Sequence, residues 1–295
     1  MNDLAAMNDL APSKTHTGEN FPVASKLIAP RYRAIILAYY QFARGADDVA
    51  DNSLLAPQQK LDGLDAFEAA LHGKNDDIAA ALPLRAALAA NRRLSPRHAL
   101  DLLTAFRMDA VKTRYASWDE LMAYCAFSAA PVGRFVLDVH GESETTWGAS
   151  DALCSALQVI NHLQDCAADY RNFDRVYIPL DALAAEGLGV EALAAGKASA
   201  QLRACLDGLI TKTDALVEAG AGLSPRVRDF RLRLETAVIA TLARRLNQIL
   251  RARDPLSEEV HLGKPATFGW ACVGIGSSLA ETVRRSIPNA LKAPA

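Results

Sequence analysis

Apolar residues return with the helical period over most of this chain. In LRACLDGLITKTDALVEAG, residues Leu202, Cys205, Leu206, Leu209, Leu216 and Val217 fall on one stripe. The same periodicity predicts helices over roughly 30–55, 58–72, 76–91, 149–170 and 266–286. Helix-start punctuation adds three more boundaries. Ser95-Pro96 and Ser224-Pro225 each read as an N-cap followed by proline at the first helical position, and Ser117 with Glu120 reads as a capping box. Helices are therefore expected to begin near residues 96, 118 and 225. No long Gly/Ser/Pro linker interrupts the pattern, so the expectation is an all-α chain with one helical domain over residues 19–295. Residues 1–18, which repeat MNDLA, are expected to be disordered and outside it.

Composition agrees with helix. Alanine and leucine dominate the apolar residues, aromatics make up only 6% of the chain, and alternating Val/Ile/Thr runs are scarce. A formal net charge of −2 offers no basic excess for nucleic acid, which is excluded as a partner. The five cysteines (Cys125, Cys154, Cys166, Cys205 and Cys272) form no CxxC pair and follow no secretory leader, so reduced thiols, no zinc site and a cytoplasmic location are expected. The longest apolar stretches, AIILAYYQFA (34–43) and FGWACVGIGSSLA (268–280), fall short of the ~18–20 residues of a membrane span. VGIGSSLAETVRRS has an apolar face followed by Arg284 and Arg285. Peripheral contact with the inner face of a membrane is one reading of it; a packed C-terminal helix with a basic end is preferred.

The chemistry concentrates in two acidic segments. ARGADDVAD (43–51) places Asp47, Asp48 and Asp51 within five positions, and Asp47 and Asp51, four apart, share a helix face and repel. QVINHLQDCAADYRNFDRVYIPLD (158–181) spaces Asn161, Asp165 and Asp169 by four, a ladder of oxygens along one face. Either segment alone reads most simply as a solvated acidic face. Both, however, lie among apolar residues, and two facing oxygen ladders suit hard divalent cations that bridge to phosphate. The pair predicts a metal–diphosphate site.

DDVAD, followed some 110 residues later by NHLQDCAAD and RVYIP, resembles the two Asp-rich motifs of the squalene/phytoene synthase family of prenyl synthases. ENFPVAS (19–25), YCAFSAAPVGR (124–134) and NHLQDC are similar to the hydroxysqualene synthase branch of bacterial hopanoid biosynthesis. The resemblance implies an isoprenoid-synthase helical bundle around a central apolar cavity. It implies that Asp47, Asp51, Asn161, Asp165 and Asp169 are catalytic and hold two or three Mg²⁺ ions with the substrate's diphosphate. Arg44, Tyr40, Gln158, Asp48, Asn20, Gln164 and Tyr177 are implied on the substrate side, with Tyr124 beside the cavity. His140 and His162 are expected to be structural, and Met108 and Asp109 lie near the pocket without an assigned role. Many relatives carry arginine where this chain has Gln164, which weakens local anion binding and counts against condensation of two farnesyl diphosphates.

The implied reaction converts presqualene diphosphate and water to hydroxysqualene and diphosphate, with no NADPH. Other enzymes of the squalene/hopanoid pathway are implied as partners. Two alternatives stand beside it: a squalene or phytoene synthase condensing two prenyl diphosphates, and a non-catalytic helical family member acting as an assembly subunit.

Overall fold

The computed structural model describes residues 27–286, which form eleven α-helices and no strand among the described residues. In chain order they are α1 (Pro30–Asp51), α2 (Pro57–Leu71), α3 (Leu82–Ala90), α4 (Arg97–Val111), α5 (Trp118–Ser128) and α6 (Ala130–His140). There follow α7 (Trp147–Phe173), α8 (Leu180–Ala185), α9 (Ala200–Ala221), α10 (Phe230–Ala252) and α11 (Lys264–Ser286). Asn20 and residues 1–18 lie outside the described residues.

Local chemistry sets most boundaries. Proline opens α1 and α2 at the first turn, where its missing N–H costs nothing. The Ser95 hydroxyl accepts from the Arg97 N–H, so Pro96 becomes the cap of α4 rather than its first residue. Ser117 caps α5 by accepting from the Glu120 N–H at 3.3 Å, but the Glu120 carboxylate reaches the N–H of Ala116 and not that of Ser117, so the box closes one residue early. The expected start near 225 is corrected. Ser224–Arg226 is a single 3₁₀ turn, and α10 begins at Phe230, where Asp229 accepts from the N–H groups of Arg231 and Leu232. Ser224 spends its hydroxyl on the Arg233 carbonyl instead of capping. The expected helix over 76–91 divides into a 3₁₀ turn at Ala79–Ala81 and α3, with Pro83 in the first turn of α3.

Two apolar clusters form the core. One is built around α1, with Phe42, Leu64, Leu84, Leu103 and Phe135. The larger is built around α7, with Ile160, Leu163, Leu206, Leu209 and Leu246. α7 is the longest helix at 27 residues, about 40 Å. Between the clusters lies a cavity of about 490 Å³ whose walls come from α1, α4, α5, α6, α7 and α10. Its lining is mainly apolar, including Ile36, Leu102, Phe106, Val136, Leu153 and Ile239.

α11 packs on α10 at Gly274, where an added Cβ would come within 2.9 Å of the Val238 Cα and 3.0 Å of the Ala237 carbonyl. It is a docked helix, as preferred above, and Phe268, Val273, Leu279 and Val283 remain exposed on it. Among the described residues no helix is long and apolar enough to cross a membrane. All five cysteines are free thiols.

Gly220 of α9 fixes the approach of α9 to α7. A Cβ there would meet the Leu153 Cα at 2.8 Å and its N at 2.9 Å, and backbone cannot step aside as a side-chain tip can. Gly220→Ala is expected to cost about 1–3 kcal/mol, as overpacking does. Denaturant unfolding would read it as a lowered midpoint at unchanged slope.

Candidate active site

The first acidic segment closes α1. Tyr40, Arg44 and Asp47 follow one another on the same helix face and all three line the cavity. The repulsion among Asp47, Asp48 and Asp51 is met by two guanidiniums. Arg44 divides its fork, Nη1 donating to Asp47 Oδ2 and Nη2 to Asp48 Oδ1, both at 2.9 Å. Asp51 is reached from far along the chain by Arg175, whose Nη1 donates to its Oδ1.

Two positive groups facing three carboxylates leave a deficit, and it falls on Asp47. Its pKa is pushed up to about 7, first by burial and then by Asp51, with Arg44 opposing the rise and smaller upward contributions from Asp109 and Asp48. Its side chain is 30% accessible and lines the cavity. With no cation present, Asp47 therefore keeps its proton to far higher pH than an ordinary carboxyl does.

The second segment lies on α7. Gln158 and Asn161 line the same cavity as Arg44 and Asp47, so the structure brings the two segments to one end of it. Asp165 and Asp169 continue along α7, one and two turns past Asn161, and neither lines the cavity itself. Asp169 Oδ2 lies 3.9 Å from His162 Nδ1, and the other ring nitrogen of His162 lies 3.1 Å from the Gln158 amide nitrogen.

Behind them is a buried polar cluster. Asp109 accepts from the Tyr124 hydroxyl at 2.7 Å and the Tyr177 hydroxyl at 2.9 Å. Burial pushes its carboxyl up; Arg175 and the two phenols hold it down in part. Tyr177 stacks on His162 with ring centroids 3.6 Å apart. Tyr124 lines the cavity, whereas Tyr177 sits behind it as a core tyrosine with its hydroxyl satisfied.

Two substrate-side assignments change: Tyr177 stands behind the cavity with its hydroxyl on Asp109, and Gln164 points elsewhere. Gln164 does not face the diphosphate end: it is buried, and its amide nitrogen donates to the Val260 carbonyl with His261 Nδ1 3.4 Å away. It stands one residue before Asp165, about 100° around α7 from it. Its expected contact with substrate is withdrawn. Arg175 was not picked out in sequence, yet it holds Asp51 and donates to the carbonyls of Ala50 (3.2 Å) and Asp109 (3.1 Å), tying the ends of α1 and α4 to the end of α7. The RVYIP string contained it, but its partners are 124 and 66 positions away.

The donors suit a hard cation. All are carboxylate or amide oxygens, and Asp47 carries repulsion that a cation would relieve. Among the described residues no three His, Cys, Asp or Glu side chains converge closely enough to hold a metal by themselves.

This arrangement, oxygen donors from two helices at the polar end of an apolar cavity in an all-α fold, defines a prenyl-diphosphate enzyme. Residues 14–266 match the squalene/phytoene synthase family, and the chain belongs to it. Enzymes of this family act on prenyl diphosphates and generally use a divalent metal. The chain is 53% identical to a hydroxysqualene synthase of Rhodopseudomonas palustris, over 96% of each protein. It is also 53% identical to one of Sinorhizobium fredii, over 92% of this chain and 91% of that one. Among solved structures it is similar to squalene synthase HpnC from Alicyclobacillus acidocaldarius, with a TM-score of 0.71 and 28% identity over 85% of this chain and 95% of that one.

The raised Asp47 pKa has a measurable sign. A carboxyl binds a cation only when ionised, so at Asp47 protons would compete with a bound Mg²⁺ below about pH 7. Apparent Mg²⁺ affinity in the presence of inorganic diphosphate is expected to rise with pH through neutrality, approaching about tenfold per unit on the acid side, and to level off above. In Asp47→Asn that proton-linked component should disappear, leaving only the pH dependence of diphosphate itself. Thermal-shift titrations of both proteins would separate the two.

Proposed function

We propose that this protein converts presqualene diphosphate and water to hydroxysqualene and diphosphate, with its catalytic helical domain spanning residues 19–295. The observation that carries the reading is 53% identity to hydroxysqualene synthases along nearly the whole chain. The geometry agrees with it: an apolar cavity ends at Arg44, Asp47 and Asn161. In this reading Asp47, Asp51, Asn161, Asp165 and Asp169 hold Mg²⁺, two or three ions together with the diphosphate. The ions supply positive charge to the leaving diphosphate when they are bound.

The chain's own residues do the rest. Arg44, already placed between Asp47 and Asp48, is positioned to donate to diphosphate oxygens as negative charge develops there. Tyr40 and Gln158 flank it on the cavity wall. The apolar walls seat the isoprenoid tails and keep bulk water from the cation they surround, so that capture is limited to water admitted near the polar end. Asp109 holds the Tyr124 phenol at the cavity wall with its oxygen directed to the carboxyl. Water ends the reaction, so no NADPH is required.

Condensation of two prenyl diphosphates is the alternative in the same family. The non-catalytic alternative is disfavoured by retention of all five motif residues.

Asp47→Ala and Asp165→Ala are each expected to lower turnover by roughly 10²–10³-fold or more, as loss of an electrostatic stabiliser does, with the helical circular dichroism unchanged. Near-parental activity in either would refute the metal assignment. Purified protein with Mg²⁺ and without NADPH should yield hydroxysqualene from presqualene diphosphate. Presqualene diphosphate made from farnesyl diphosphate, with no hydroxysqualene from either substrate, would move the protein to the condensing branch.

A further inference from the structure

The string YCAFSAAPVGR (124–134) sets a second hydroxyl beside Tyr124 on the cavity wall. Ser128 closes α5 one helical turn after Tyr124, on the same face, and both line the cavity. Tyr124 lies beside His162, with ring centroids 6.1 Å apart. Gly133 of α6 lies against Ser150 and Cys154 of α7, where an added Cβ would come within 2.3 Å of the Ser150 Oγ and 2.7 Å of the Cys154 Sγ. Ser128 falls between these two levels. It stands about 6 Å along α5 from Tyr124, on the apolar side of the end marked by Asp47 and Asn161.

Other hydroxyls of the wall are already engaged. Tyr39 donates to the His98 carbonyl at 3.1 Å, Tyr124 to Asp109 at 2.7 Å and Thr236 to the Arg233 carbonyl at 3.0 Å, and the Ser150 hydroxyl bonds with the Cys154 thiol. Ser128 differs from these four. Its Oγ is buried and meets no hydrogen-bond partner among the described residues. Buried polar atoms are nearly always paired, so an orphan on a cavity wall points to a ligand. The backbone turns at the same place. α5 ends at Ala129, Pro131 has no N–H to continue it, and the Val132 N–H goes to the Ala129 carbonyl at 3.2 Å. A serine hydroxyl that nothing holds turns onto the cavity by rotation about one bond.

A lone neutral hydroxyl beside Val132, Val136 and Leu137 on the wall is too weak a donor set for an ion and fits a single water. We propose that Ser128 is a positioning residue for the water that captures the carbocation, its Oγ accepting from one O–H of that water and leaving an oxygen lone pair for the cation. The inference deepens the hydroxysqualene reading and rests on it. The C–O bond of presqualene diphosphate breaks with both electrons leaving on diphosphate. The water lone pair then forms the new C–O bond to the rearranged cation, and the proton shed by that oxygen passes to the departed diphosphate, which leaves the neutral alcohol. A cation with no water held beside it is quenched by losing a neighbouring C–H proton to diphosphate, and the product is a C30 hydrocarbon.

The test is product analysis with the full chain, Mg²⁺ and presqualene diphosphate, measuring released diphosphate and extracted lipid in the same reaction. In Ser128→Ala diphosphate release is expected to continue, while the ratio of C30 hydrocarbon to hydroxysqualene rises roughly 3–10-fold, the effect of losing one hydrogen bond. Ser128→Thr keeps the hydroxyl and should keep the parental ratio. A parental ratio in Ser128→Ala would overturn the proposal. So would diphosphate release and hydroxysqualene falling together with the ratio intact, which marks a structural role, or a Ser128→Thr protein that behaves as Ser128→Ala does. Parental protein that forms no hydroxysqualene would overturn the hydroxysqualene reading itself, and this inference with it.

Discussion

Compensation of the α1 carboxylates by Arg44 and Arg175 is the constraint on which the rest of the arrangement depends. Three acids in five positions on a half-buried helix end would repel each other and disfavour packing if left alone. Arg44 answers two of them from within α1, so it fixes only local side-chain geometry. Arg175 answers the third from just beyond α7, so its ion pair with Asp51 is also a tertiary tie that sets one acidic segment beside the other. The compensation is incomplete, and the residual charge gathers on Asp47. A fully paired network would be structural only; an under-paired one favours a cation.

The apolar half follows from how the core is divided. The cluster around α1 and the cluster around α7 each bury one side of their helix, and the space left between them is the cavity. Charge at its polar end is therefore flanked by low-dielectric walls, where electrostatic interactions are stronger than in water. Asp109 extends the polar end inward without opening it, since both Tyr124 and Tyr177 direct their hydroxyls to its carboxylate.

Much of the helical frame was legible in sequence because its signals are local. The stripe from Leu202 to Val217, the Ser95-Pro96 pair and the serine at Ser117 act within a turn or two. Ser224 misled because its hydroxyl found the Arg233 carbonyl, a partner that no capping rule contains. The short α8 and the α6 helix went unread: α6 is separated from α5 by the single residue Ala129 and has proline in its first turn. At the site, the oxygen ladders were legible because helical spacing alone puts them on one face. Gln164 was misplaced because adjacency to Asp165 in sequence means a different direction on a helix, and that direction led into the core. Arg175 was missed, and Asp109 was left without a role, for the opposite reason. Their significance lies wholly in partners far along the chain, and nothing in their immediate neighbours marks them.

The length of α7 carries one last consequence. A single unbroken helix bears Leu153 against Gly220, Gln158 and Asn161 on the cavity wall, and the left-handed residue Asp174 that turns Arg175 toward α1. Each residue added to or removed from that rod would rotate everything beyond it by about 100° and shift it by 1.5 Å. A change of length is thus tolerable in the connections, such as those flanking α8, while the stretch from Leu153 to Arg175 requires a fixed count of residues. The interval is a phase as much as a set of side chains.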